Sequence, residues 1–147
     1  MIYLADTNVL LRFSRHDDPR YQIVQDTVHK LEAEAHQLRT TSQNFEEFWN
    51  VATRPANQNG FGHTIFETEQ LLLGLEKFFR LLPDSPDVYP EWKRLVVKYK
   101  VLGVQVHDAR LAASMIAHNV TRILTFNVTD FERYKPEGIM AVDPATV

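Results

Sequence analysis

Short apolar runs alternate with longer stretches of helical period along this chain, and no other feature constrains its fold more. Ile2 to Ala5 reads as a buried strand, closed by the polar turn Asp6-Thr7-Asn8. Asp18-Pro19 forms an N-cap and N1 pair, and Ile23, Val24, Thr27, Val28, Leu31 and Ala35 then line one helix face. Residues 37–41 suggest a second strand. Ser42 serves as N-cap of a helix whose Phe45, Phe48, Trp49 and Ala52 recur at i, i+3, i+4 and i+7. Arg54-Pro55 ends it. Thr64-x-x-Glu67 has the form of a capping box, ahead of the stripe Leu71, Leu72, Leu75, Phe78 and Phe79. Residues 80–82 suggest a third strand, stopped by Pro83. Trp92, Leu95, Val96 and Tyr99 mark one further helix, and Ala109, Ala112, Ala113, Ile116 and Ala117 another. Residues 122–126 and 139–142 supply the last two strands.

This order predicts an α/β fold, a parallel sheet with helices on both faces. At 147 residues the expectation is one domain, since no repeat or long linker divides the chain. No apolar run approaches the roughly 18 residues of a membrane span. The amino terminus lacks the basic start of a signal peptide. The absence of cysteine excludes disulfides, cysteine zinc sites and a thiol nucleophile, and it fits a reducing, cytoplasmic setting.

In such sheets, ligands bind beyond the carboxyl ends of the strands. Asp6 and Asp130 both follow predicted strands, and Asp108 opens the helix from Ala109 to Ala117. Each has an ordinary role open to it: an Asx-turn for Asp6, an N-cap for Asp108, a cap on the turn 131–134 for Asp130. Glu46 and Glu47 both lie off their helix's apolar stripe, and periodicity does not choose between them. If the fold gathers these acids, like charge raises their pKa values and a divalent cation relieves the conflict. A small cluster of hard oxygen donors suits Mg²⁺ or Mn²⁺.

Net charge is −3, from 16 basic and 19 acidic residues, which disfavours a nucleic-acid binder only mildly. Without the four clustered acids, the 15 others face 16 bases. Arg12, Arg15, Arg54 and Arg110 follow the acids closely in sequence and are candidates for substrate phosphate. His16, His29, His36, His63, His107 and His118 show no zinc-ligand spacing.

Four segments carry a resemblance. They are Ile2-Tyr3-Leu4-Ala5-Asp6-Thr7-Asn8-Val9-Leu10, Gln43-Asn44-Phe45-Glu46-Glu47-Phe48-Trp49-Asn50-Val51, His107-Asp108-Ala109-Arg110-Leu111-Ala112-Ala113 and Ile123-Leu124-Thr125-Phe126-Asn127-Val128-Thr129-Asp130-Phe131. In that order they resemble PIN domains, specifically the VapC-type ribonucleases of bacterial and archaeal toxin–antitoxin pairs. The resemblance implies a single PIN-like domain over 1–147, with three α/β/α layers around a short central parallel β-sheet. It implies an endoribonuclease that cleaves RNA by metal-activated water with Mg²⁺ or Mn²⁺. Asp6, Glu47, Asp108 and Asp130 are then the metal ligands and, with Thr7 and Asn127, the catalytic set. The family pattern selects Glu47 over Glu46, and it makes Asn8 and Thr125 supporting residues. Asn127 stands where some members carry Asp, so the fourth site residue is Asp130 or Asn127. The implied partners are RNA, a cognate antitoxin that covers the acids with Arg or Lys, and a second copy in a homodimer.

Two other classes compete. A phosphatase of the haloacid-dehalogenase type wants a second Asp where Asn8 stands, and a receiver domain wants paired acids near its first strand and a Lys after a late one. Neither pattern is present. The remaining alternative is a catalytically inactive PIN-like adaptor for RNA or protein, which Mn²⁺ titration of wild type against Asp6→Asn separates from the nuclease.

Overall fold

Five strands build one all-parallel sheet in the order β3-β2-β1-β4-β5. They are β1 (Ile2–Ala5), β2 (Gln37–Thr40), β3 (Arg80–Leu81), β4 (Arg122–Leu124) and β5 (Met140–Val142). This computed structural model describes residues 1–147. Parallel neighbours need crossovers, and these are the helices α1 (Thr7–Phe13), α2 (Tyr21–Ala33), α3 (Ser42–Thr53), α4 (Ile65–Phe78), α5 (Val88–Lys98) and α6 (Val106–Ala117), with a 3₁₀ segment at Val128–Glu137. No helix is long and apolar enough to cross a membrane.

The pleat of the central strand sorts its residues between two cores. Leu4 and Ile123 join Leu95, Ala109, Met115, Phe131 and Tyr134 on the α5/α6 side. Ala5 and Leu124 join Val9, Val24, Leu31, Phe48, Leu75 and Phe79 on the α1–α4 side. Ala5 sits opposite Leu124 in register, so β1 and β4 end level with each other. That alignment puts the residues after both strands side by side. The alanines of α6, Ala109, Ala112 and Ala113, are fully buried and let this helix lie close to the sheet.

Local chemistry departs from the sequence expectations at several points. Asp6-Thr7-Asn8 is not a free turn: Asp6 caps α1, a two-turn helix whose Val9 and Leu10 are buried. α2 begins at Tyr21, because the Asp18 side chain takes the Arg20 N–H at 2.8 Å and closes a turn first. The N-cap of α3 is Thr41 rather than Ser42. Three residues beyond Thr41 stands Asn44, whose amide can complete a capping box; three beyond Ser42 stands Phe45, which cannot. Ser42 instead donates to Asp84 at 3.0 Å. The box at Thr64 and Glu67 forms as expected. β2 stops at Thr40 because Thr41 is the cap, and β4 stops at Leu124 because Thr125 turns toward Asp6. α6 starts at Val106, which places Asp108 in its first turn rather than ahead of it. Asp130 likewise lies in the first turn of the 3₁₀ segment.

Candidate active site

Asp6 leaves the central strand with its N–H still on the Leu124 carbonyl at 3.0 Å. Its Oδ1 accepts the Thr7 N–H at 2.7 Å, and its Oδ2 accepts the Thr125 hydroxyl at 2.8 Å and the Asn8 amide at 3.3 Å. Asn8 also donates to Thr125 at 3.2 Å and accepts the Phe126 N–H at 3.2 Å. The Asn127 N–H donates to the Thr125 hydroxyl oxygen at 3.0 Å. The carboxyl ends of β1 and β4 are thereby laced together around one carboxylate that is only 7% exposed. Burial raises the Asp6 pKa above the ordinary carboxylate value; the Thr125 and Thr7 hydrogen bonds oppose it, while the charges of Glu47 and Asp130 add to it.

Glu47 reaches the same place from α3. The Thr7 hydroxyl donates to its Oε2 at 2.6 Å, and the Gln43 amide donates to its Oε1 at 3.1 Å. Gln43 also donates to the His107 carbonyl at 3.0 Å, joining α3 to the start of α6. Thr7 in turn accepts from the buried amide of Asn44 at 3.0 Å. The α3 cap therefore runs into the site as a chain of donors from Thr41 through Asn44 and Thr7 to Glu47. Glu46, one residue away, is exposed and makes no side-chain hydrogen bond, so the structure separates the two glutamates that periodicity left equivalent.

Asp108 and Asp130 face a small cavity of about 130 Å³, shared with Gln105, Thr129, Arg133 and Tyr134. Asp108 has no hydrogen-bond donor or cation paired with its side chain. Its pKa is pushed up to about 6, first by burial and then by the charges of Asp6, Asp130 and Glu47, with Arg133 acting the other way. Thr7 joins Asp6 to Glu47, Gln43 joins Glu47 to the residue before Asp108, and Asp108 shares its cavity with Asp130, so the four acids lie in one neighbourhood. Thr7 and Asn8 belong to the Asp6 network, and Asn127 is exposed with its side chain unbonded.

As the side chains stand, no group of three or more His, Asp or Glu residues is arranged to hold a metal ion. The donor set nevertheless fits one. All four groups are hard oxygen donors, two of them carry no protein partner, and burial together with the neighbouring charges raises Asp108. An ion that keeps several of its waters, as Mg²⁺ does, needs few direct carboxylate contacts.

The four arginines singled out in the sequence make no contact with the four acids. Arg12 donates to the Asn8 carbonyl at 3.4 Å and stands over the Phe126 ring at 5.1 Å. Arg15 stacks on Phe61 at 3.9 Å and pairs with Asp17 at 3.4 Å. Arg54 donates to the Asn59 carbonyl at 2.9 Å. Arg110 faces α5. The cation beside the acids is Arg133, which sequence reasoning missed. Its spacing of three from Asp130 in a helical turn was the available signal, as was the spacing of four from Gln43 to Glu47.

A family model of the PIN domain matches residues 3–135. Among solved structures the chain is similar to VapBC-1 from nontypeable Haemophilus influenzae, at 16% identity over 98% of each chain with a TM-score of 0.71. It is similar to a toxin-antitoxin complex from Klebsiella pneumoniae, at 22% identity over 97% of each chain with a TM-score of 0.63. It is also similar to Mycobacterium tuberculosis VapC20, a Sarcin-Ricin loop cleaving toxin, at 17% identity over 98% of this chain and 100% of that one, TM-score 0.67. These likenesses are of fold. No curated protein sequence matches the chain.

Proposed function

The chain belongs to the PIN-domain family, and we propose that it is a divalent-metal-dependent endoribonuclease of the VapC type, the toxin of a toxin–antitoxin pair. The observation that carries this reading is the hydrogen-bond network that fixes Asp6 and Glu47 where β1 and β4 end, with Gln43 tying it to the start of α6, where Asp108 and Asp130 line one cavity. Mg²⁺ or Mn²⁺, when bound, supplies an activated water and neutralises charge on the phosphoryl oxygens. Asp6 and Asp108 would hold it directly in this reading. Asp6 is oriented for that role by Thr7, Asn8 and Thr125, which fix both its oxygens. Glu47 and Asp130 would complete the shell directly or through water, and either carboxylate could take up a proton from water at the site. Thr7 orients Glu47 through its hydroxyl, and in this reading Asn127 orients water.

The substrate is RNA and the inhibitor an antitoxin whose Arg or Lys enters the carboxylates in place of the ion. A homodimer is part of the same reading. The similarity to a toxin-antitoxin complex and to an RNA-cleaving toxin supports these assignments. The decisive experiment is RNA cleavage by the purified protein with Mg²⁺, with Mn²⁺ and with chelator, beside Asp6→Asn. Asp6→Asn keeps the side chain's size, so the variant should fold and lose cleavage. Full activity in the variant, or in excess chelator, overturns the mechanism.

A further inference from the structure

We propose that the groove lined by Ser85, Val88, Tyr89, Trp92 and Arg110 is a nucleobase-stacking subsite for single-stranded RNA on its way to the carboxylates. The groove encloses about 440 Å³. This inference rests on the nuclease reading for its ligand, but its geometry is independent of the acids.

Three observations carry it. The first is a preformed aromatic stack. Tyr89 lies on Trp92 with ring centroids 5.9 Å apart and planes 27° from parallel. Trp92 cannot swing away, because its indole N–H donates to the Val106 carbonyl at 2.9 Å. Tyr89 is 64% exposed, so the stack is anchored at one end and open at the other. A soluble domain gains nothing in core energy from an exposed tyrosine held this way, whereas a base finds a π-face already in place.

The second is charge. Arg110 lines the same groove and forms no hydrogen bond or ion pair with any side chain of the protein. Other arginines of the chain are engaged: Arg12 and Arg15 with acids and rings, Arg54 with a carbonyl, Arg94 with Glu91 and Glu137. A cation left over beside an aromatic stack has the form of a backbone-and-base site for a single strand.

The third is continuity. Both the groove and the acids are built on the first two turns of α6. Trp92 holds Val106, Gln43 holds His107, Asp108 belongs to the acid cluster, and Arg110 closes the groove. Ser85 follows β3, so the groove opens at the carboxyl edge of the sheet, as the acids do. Asp108 and Arg110 are two apart on α6 and face different sides of it, so a strand stacked on Tyr89 would cross the start of α6 to reach Asp108.

The test uses a 12-nucleotide oligo(A) RNA in EDTA, where no metal-dependent cleavage can occur. The chain has two tryptophans, so Trp49→Phe leaves Trp92 as the sole indole. Oligo(A) should quench Trp92 emission, and Tyr89→Ala should weaken binding about tenfold, the scale of one stacked base. Arg110→Ala should weaken binding and reduce the slope of log affinity against log salt by about 0.7, with Arg110→Lys restoring the slope. Both side chains are exposed, so the variants should melt like the parent. Unchanged affinity in Tyr89→Ala and Arg110→Ala, or no Trp92 response at saturation, overturns the subsite. So does a Tyr89→Ala variant that changes only sedimentation mass, which would mark this face as a contact between copies. Loss of cleavage in Mg²⁺ with Trp92 quenching intact would sink the nuclease reading and leave the subsite standing.

Discussion

The hydroxyl of Thr7 donates to Glu47 across 2.6 Å while its own N–H donates to Asp6 across 2.7 Å. One residue thus fixes two carboxylates that arrive from different elements. Thr7→Val keeps the shape and the α1 backbone but removes the hydroxyl. Groups that orient metal ligands typically matter 10–100-fold. The expected result is a fall of about that size in Mn²⁺ affinity and in RNA cleavage, together with a stability loss of about 1–3 kcal/mol, because the buried Asn44 amide loses its acceptor. Mn²⁺ titration of both proteins checks it, and equal affinities would remove Thr7 from the site.

Asp108 gives a pH signature. Its pKa rises from the ordinary 3.8 to about 6 in the folded protein, so the folded state holds this proton longer than the unfolded chain does. The stabilisation is fully present below pH 3.8 and is lost as pH rises through about 6. The metal-free protein should therefore melt at a lower temperature at pH 8 than at pH 5. Asp108→Asn should flatten that difference, and Arg133→Gln should shift the titration to higher pH, because Arg133 favours the charged form. Saturating Mg²⁺ should restore stability at pH 8, by about 2.7 kcal/mol at one hundred times its Kd. Melts at the two pH values, with and without Mg²⁺, are the measurement. A pH difference undiminished in Asp108→Asn would trace it to other groups.

Asn44 is fully buried, accepts from Thr41 and donates to Thr7. Asn44→Ala leaves both threonines short of a partner and opens the capping box of α3. We expect a loss of about 1–3 kcal/mol in urea unfolding. Mn²⁺ affinity should fall as well, because Thr7 loses its donor. A stable variant with weakened Mn²⁺ binding would assign Asn44 to orientation alone.

Gly60 faces a different constraint. A Cβ there would stand 1.9 Å from the Arg54 carbonyl oxygen, where the loop after α3 folds back on the helix end. Gly60→Ala must push two stretches of backbone apart, at a cost of about 1–3 kcal/mol. Chemical denaturation measures this directly. An unchanged midpoint would mean that the loop moves without consequence for α3.

The sheet and its helices were legible because their signals are periodic. Leu4, Phe48 and Ala112 occupy core positions that the apolar pattern alone assigns. α1 escaped because two turns carry too few apolar positions to show a period, and its Asp-Thr-Asn opening also reads as a turn. The cap of α3 escaped because Thr41 and Ser42 are equally good caps in isolation; Asn44 decides between them. Asp6 stands beside Thr125, 119 residues away, through strand register that no local pattern encodes. The choice of Glu47 over Glu46 came from the resemblance, and its physical reason, the Thr7 hydroxyl, is a tertiary contact. Arg133 went unnoticed because its meaning depends on what surrounds it in space.

The two cores on opposite faces of the sheet also bear on when the acids meet. Glu47 is carried by a helix of the α1–α4 layer and Asp108 by a helix of the α5/α6 layer, while Asp6 belongs to the strand between them. A chain with one layer docked has at most part of the carboxylate set. The last layer to condense brings the remaining charges together, and it does so against their repulsion. The full acidic cluster therefore exists only with both layers docked on the sheet, and detaching either one would take a carboxylate out of the set.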